Sequence, residues 1–308
     1  MSADAYGARH ASSGDPSSGD PSSRPRRSLP ASRDAGAPFP ELAPPDPATA
    51  AELRRLADLY EIPAFVDVDP VSVPHAFDDP ADQEIAGLFA AILAWGRRSV
   101  LLAKLAELLE RMGHRPARFV HDFRPERDVA RLGGFKHRTF KPEDAVALVR
   151  AIQAVRRQHG SIEALVALPP GAPHVGPAIQ RLSDTLLTIV PGTPVRLRKH
   201  LARPSTGSAC KRLAMYLRWM VRPGPVDLGA WRALAPHQLL IPLDVHTARQ
   251  ARALGVLDRR QDDWRTTLAL TAACRHLDPA DPARFDFALF GLGVFGGAPI
   301  PAEEPDGA

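Results

Sequence analysis

The stretch Pro80-Ala-Asp-Gln-Glu-Ile-Ala-Gly-Leu-Phe-Ala-Ala-Ile-Leu-Ala-Trp95-Gly96 decides the fold class. Ile85, Leu88, Phe89, Ile92 and Leu93 recur at intervals of three and four, so one face of a 3.6-residue helix is apolar. Asp78 and Asp79 stand where N-caps belong, and Gly96 where a helix stops. The next segment repeats the logic: Leu102, Leu105, Leu108 and Leu109 form the stripe of a helix over 99–112, closed by Gly113. The same spacing predicts helices at 142–158, 175–190, 208–222, 245–254, 262–277 and 282–294. Alternating β-branched runs of strand length are hard to find from Ala50 onward, so the sequence describes an all-α protein. No repeat of solenoid period occurs, and the helices are too unequal for a simple four-helix bundle.

The chain has 308 residues, 44% hydrophobic and 24% charged, an ordinary globular balance for one or two domains. No apolar run approaches the roughly 18 residues of a membrane-spanning helix. Cys210 and Cys274 are the only cysteines, too few for a disulfide framework, a four-cysteine iron–sulfur cluster or a cysteine-rich zinc site. Residues 1–48 are rich in Ser, Pro, Ala, Gly and Asp, with Ser-Ser-Gly-Asp-Pro at 12–16 and again at 17–21. Such a segment buries too little apolar surface to offset its ordering entropy and is expected to be a disordered tail. Arg26-Arg27 lacks the apolar segment of an export signal, so a cytoplasmic protein is expected. Residues 49–298 are expected to form the helical domain, in two subdomains, and 299–308 a second loose end. The formal charge is +4, and the tail carries six acidic and five basic residues, so the surplus lies in the helical part.

That surplus is concentrated. Between Asp184 and Asp227 there is no acidic residue, while Arg196, Arg198, Lys199, Arg203, Lys211, Arg212, Arg218 and Arg222 all fall there. A solvated basic face is one reading; a phosphate-binding surface is the other. The loop Arg203-Pro-Ser-Thr-Gly207-Ser208 leads into a helix with Ser208 as expected N-cap, and a positive helix end with free N–H groups suits a phosphate. On that helix Leu213, Tyr216, Leu217, Met220 and Val221 make the core stripe. Lys211, Met215, Arg218, Trp219 and Arg222 share a second face, mixed cationic and soft apolar, whose Met215 and Trp219 either pack or stack on bases. Asp244 follows the apolar run Leu239–Leu243 and opens the next helix; it serves as an N-cap, or as a carboxylate at a pocket mouth facing a lysine. Phe135-Lys-His-Arg-Thr-Phe140 alternates aromatic and cationic residues, which fits either base stacking or a helix corner with two buried phenylalanines. His200, His237, Asp244 and His246 lack the i, i+4 histidine spacing of a helical zinc site, so no metal or other cofactor is expected.

Ile241-Pro-Leu-Asp244-Val-His-Thr-Ala-Arg249, followed by Ala253-Leu-Gly-Val-Leu257, resembles the segment of the helix-hairpin-helix DNA glycosylase superfamily that supplies the catalytic aspartate. Residues 84–98 and 285–294 are similar to its early and last core helices. The chain also resembles an uncharacterised bacterial family, a domain of unknown function, over about 53–294, through Phe135–Phe140, Ser208–Leu213 and Pro242–His246. The glycosylase resemblance implies a two-subdomain helical fold, with Asp244 as the aspartate and Lys211 as the lysine of the bifunctional members, nearest to 8-oxoguanine glycosylase/lyases. Met215, one turn beyond that lysine, would pack on the flipped base. The chain departs from the superfamily's Leu-Pro-Gly-Val-Gly hairpin: Gly207 lies four residues before Lys211, and Pro223–Gln238 intervene before Asp244. A divergent archaeal branch acting on 8-oxoguanine is similar in its weak hairpin and long spacing.

The expectation is therefore a monomeric DNA base-excision glycosylase, with or without strand-cleaving lyase activity, acting on double-stranded DNA that carries a damaged base. Lys211 and Asp244 are the catalytic candidates. Arg203, Gly207, Ser208, Arg212, Arg218 and Arg249 are the candidates for DNA contact, and Met215, Trp219, Phe135 and Phe140 for the base pocket. A noncatalytic nucleic-acid-binding or lesion-sensing module and a metal-dependent hydrolase are the alternatives.

Overall fold

A computed structural model describes residues 35–169 and 171–301. Its helices, in chain order, are α1 (Pro47–Tyr60), α2 (Ala64–Asp67), α3 (Ser72–His75), α4 (Pro80–Leu93), α5 (Arg98–Arg111), α6 (Pro116–Asp122), α7 (Pro125–Leu132) and α8 (Pro142–His159). They continue as α9 (Ile162–Val166), α10 (Gly176–Thr188), α11 (Lys211–Val221), α12 (Val245–Ala253), α13 (Trp264–Arg275) and α14 (Phe285–Phe295). Among the described residues there is no β-strand, only isolated bridges such as Ser208 with Asp263. None of these helices is long and apolar enough to cross a membrane.

The helices start where residue chemistry dictates. Asp79 accepts from the Ala81 N–H at 2.8 Å with Pro80 behind it, and Asp263 accepts from the Thr266 N–H at 2.9 Å. α4 departs from its expected amphipathic character: every residue from Glu84 to Leu93 is buried. The stripe was real, but α3, α6 and α11 pack around the helix and cover its remaining faces. Tyr216 of α11 donates to the Glu84 carbonyl at 3.0 Å, and Glu84 in turn pairs with Arg156 of α8 at 3.2 Å.

Two groups of helices meet across α4 and α11. In one, the chain ends come together: α1 packs along α14, and α14 along α12. In the other, α8, α9 and α10 pack on one another, with α6 against α4 and α8. A single apolar cluster runs through both. The expected tail boundary is corrected in part. Residues 1–34 and 302–308 lie outside the described residues, but 35–46 pack down. Phe39 sits edge-on to His174 at 5.1 Å, and the buried His174 donates to the Ala37 carbonyl at 2.7 Å. One aromatic anchor in a polar, proline-rich segment supplies what the average composition conceals. At the other end, Ile300 packs partly against the core, and the Ala298 carbonyl accepts from the Tyr60 hydroxyl at 2.9 Å.

The α1–α14 contact depends on Gly291, where a Cβ would stand 2.3 Å from the Tyr60 ring. Gly291→Ala should therefore destabilise by about 1–3 kcal/mol, the usual cost of overpacking. Urea denaturation of the two proteins measures it, with Gly297→Ala, whose nearest neighbour would be 3.8 Å away at Leu292, as a control for φ strain rather than packing.

Candidate functional site

Lys211 and Asp244 meet: Lys211 Nζ lies 3.1 Å from Asp244 Oδ2. Lys211 is the first residue of α11, entered through Gly207 at φ 77° and Cys210 at φ 54°. The expected start at Ser208 is thus corrected to Lys211. Ser208 does not cap the helix; its hydroxyl accepts from the Cys210 N–H at 3.3 Å inside the entry turn, because the left-handed Cys210 redirects the chain there. An ammonium at a helix N-terminus opposes the macrodipole, so its position requires a nearby anion. Asp244 supplies one. Its Oδ1 caps α12 by accepting from the His246 and Thr247 N–H groups, both at 2.9 Å, which leaves Oδ2 for the lysine. The capping and site readings of Asp244 are both true, one per oxygen.

The pair faces a cavity of about 270 Å³. Phe65, Trp95, Met215 and Phe290 contribute to its walls, and Asp69, Arg218 and Asp286 also line it. Lys211 Nζ lies 6.0 Å from the Phe290 ring centroid. A second cavity, about 590 Å³, adjoins the first through Ala94, Trp95 and Lys211 and is bordered by Lys199, His200 and Ser208. Trp95 is positioned by the 135–140 corner: His137 donates to its carbonyl at 3.1 Å, and the Arg138 guanidinium lies 5.4 Å from its ring centroid.

Burial shapes the three carboxyls. It lifts Asp286 to about 7 against the pull of Arg218, and it also raises Asp69, opposed by Arg218, the Val71 N–H and Lys211. Burial works the same way on Asp244, but Lys211 and the Thr247 N–H outweigh it and hold that carboxyl below the ordinary range. Next to Lys211, burial pushes the Cys210 thiol up to about 12, which makes it a poor nucleophile.

Several expected site residues are elsewhere. Phe135, Phe140 and Trp219 are fully buried and do not line the lysine's cavity; they are core. Phe135 and Phe140 form an edge-on pair at 6.2 Å, so the 135–140 segment is the helix-corner alternative, with only Lys136, Arg138 and Thr139 exposed. Met215, by contrast, lines the cavity one turn along α11 from Lys211. Among the DNA-contact candidates Arg218 is corrected: it is 2% exposed, bound to Asp227 at 3.2 Å and to Asp286. Arg212 spends its guanidinium on the Ile92 and Lys199 carbonyls at 2.7 and 2.6 Å, and Arg203 pairs with Asp184 at 3.3 Å. Arg249, Arg198 and Lys199 are exposed, as is Gly207, whose carbonyl accepts from Trp264 at 3.0 Å. No group of three or more His, Cys, Asp or Glu side chains among the described residues is arranged to hold a metal ion.

A family model described as "Protein of unknown function (DUF2400)" matches residues 69–295. The chain belongs to the DUF2400 family. No curated protein and no solved structure matches it. The DUF2400 match spans every residue of the lysine's cavity from Asp69 to Phe290, leaving out only Phe65 and Val68.

Two outcomes follow for the carboxyls. Asp244→Ala loses the α12 cap and should cost about 1 kcal/mol or more, whereas Asp244→Asn keeps an acceptor and should cost less than half as much in urea denaturation. For Asp286 the folded value near 7 exceeds the unfolded value near 3.8, so the native state holds an extra proton between them and this residue's contribution to stability falls as pH rises from about 4 to 7. Asp286→Asn should remove that downward slope, measured by denaturation across the same range.

Proposed function

We propose that this DUF2400 protein is a DNA base-excision glycosylase with lyase activity, acting on a damaged base flipped out of the duplex. The observation that carries this reading is the Lys211–Asp244 pair, 3.1 Å apart, at a cavity of about 270 Å³ walled by Phe65, Trp95, Met215 and Phe290. Aromatic and thioether walls suit the faces of a planar base, and extrusion costs a few kcal/mol that pocket contacts repay. The resemblance of residues 241–257 to the helix-hairpin-helix DNA glycosylase superfamily points the same way, and the exposed Arg198, Lys199 and Arg249 supply charge for phosphates.

In the proposed reaction Lys211 passes a proton to Asp244, and the freed lone pair forms a bond to C1′. The N-glycosidic bond breaks, its electron pair leaves with the base, and the base takes up a proton. Asp244, ionised again after giving up its proton, stabilises positive charge on the sugar as the ring opens to a protonated imine. Loss of the C2′ proton then expels the 3′ phosphate by β-elimination, and water releases the lysine. The metal-dependent hydrolase alternative has no ligand set among the described residues.

Borohydride trapping on duplexes containing an abasic site, 8-oxoguanine or uracil tests this directly. Wild-type protein should form a covalent adduct that Lys211→Gln abolishes, and Asp244→Asn should slow base release by roughly 10²–10⁴-fold, the range of a lost proton-transfer group. Undiminished base release by Lys211→Gln would sink lysine catalysis. Salt-sensitive DNA binding without adduct or release would instead assign a noncatalytic module.

A further inference from the structure

The cavity beside Lys211 contains one carboxylate whose charge nothing balances directly. Asp244 is paired with Lys211 and Asp286 with Arg218, but Asp69 forms no ion pair among the described residues. Asp69 is 6% exposed, and its Oδ1 accepts from the Val71 N–H at 2.9 Å. Its Oδ2 has no hydrogen-bond donor among the described residues, although the residue lines the cavity. A turn cap needs one oxygen, and Asn or Ser would provide it without bringing a charge out of water. A buried acceptor with a vacant oxygen is costly to leave unmade, which favours a ligand that brings donors to it.

We infer that Asp69 reads the base, and that the base is guanine-derived. This rests on the glycosylase reading above and narrows its substrate. Of the base edges, guanine's alone places a ring N–H beside an exocyclic amine, two adjacent donors for the two oxygens of one carboxylate. Uracil and thymine flank their single N–H with carbonyl oxygens, which a carboxylate repels. Adenine and cytosine set a ring acceptor beside their amine, so one of the two contacts is repulsive. Damage to the imidazole ring of guanine leaves the donor pair intact, so oxidised and ring-alkylated guanines keep the feature that Asp69 recognises. A site built to bond a donor rejects analogues that lack it far more strongly than an apolar pocket does.

The test uses the full chain and Asp69→Asn, which retains an acceptor for the Val71 N–H; equal melting temperatures check that the fold is intact. Base release is measured on duplexes carrying 8-oxoguanine or uracil, and borohydride trapping on a duplex with an abasic site, where there is no base to read. The wild type should release 8-oxoguanine at least about a hundredfold faster than uracil. Asp69→Asn should lose roughly ten- to hundredfold on 8-oxoguanine, the effect of one hydrogen bond to a charged group, and keep its abasic-site adduct. Unchanged 8-oxoguanine release by the variant, or a wild-type preference for uracil, overturns the assignment while leaving the lysine chemistry standing. If the wild type neither traps nor releases, the glycosylase reading fails, and a separate measurement decides Asp69. Quenching of intrinsic tryptophan fluorescence should then favour 2′-deoxyguanosine over 2′-deoxyuridine in the wild type and lose that preference in the variant; equal or absent quenching overturns base reading by Asp69 as well.

Discussion

The arginines of α11 are bound inside the protein, and the rest of the site depends on that. Arg218 reaches Asp227 and Asp286; Arg222 reaches Asp227 at 3.1 Å, Asp281 at 2.7 Å, and Glu61 at the end of α1. The Phe287 ring lies beneath both guanidinium groups, 4.4 and 5.4 Å from centroid to carbon. Burying such charges is expensive, and removing one member leaves another uncompensated at about 3–5 kcal/mol. The network therefore admits one rotation of α11 about its axis and one height relative to α14. Lys211 stands two turns from Arg218 on the same face, so the alignment that anchors Arg218 also carries the lysine toward α12. On α14 the logic repeats over one turn, from Asp286 to Phe290.

The second face of α11, with Lys211, Met215, Arg218, Trp219 and Arg222, was legible from helical spacing alone. What spacing could not reveal was its direction. An acid-free window rich in arginine looks outward because charges usually do. Here the acids arrive from far along the chain: Glu143 and Asp144 to Arg196, Asp244 to Lys211, Asp286 to Arg218, Glu61 to Arg222. A window 42 residues wide, free of acids between Asp184 and Asp227, is thus largely neutralised in space. One-sided local charge combined with an apolar periodicity on both faces of one helix is the signal that could have announced burial.

The same contrast runs through the fold. Helices with a clean apolar stripe, such as α5, α8 and α13, were legible to within one to three residues, because periodicity reports a continuous buried face. The one-turn α2 and α3, and α6, α7 and α9 after them, were not, since four to eight residues hold too few positions for a period to register. That is why Phe65 and Asp69 escaped notice. They sit in the short helices and turns between α1 and α4, where nothing local marks a cavity wall. Phe290 lay in a segment already compared with a last core helix, and Trp95 directly before the helix-ending Gly96; an aromatic residue beside a glycine that ends a helix is a weak local sign of an open wall. Phe135 and Phe140 misled for the opposite reason. Flanking cations suggest stacking on bases, yet a tight corner also needs its aromatic side chains inward and its cations out.

Asp244 joins two helices that would otherwise repel. α11 and α12 both direct N-terminal ends at it, one bearing an ammonium, and a single carboxylate answers both with separate oxygens. On the proposed chemistry this division has a consequence. Protonation of Oδ2 removes the lysine's partner without breaking the cap, because Oδ1 keeps its two N–H donors at 2.9 Å. The carboxyl can therefore gain and lose a proton during a turnover while its geometry stays fixed, and the positive sugar charge arrives at an oxygen that does not have to move to meet it. A carboxylate on a flexible loop would have to be ordered at the same step. Making the proton acceptor also a helix cap places that ordering in the folding of the protein, before any substrate is bound.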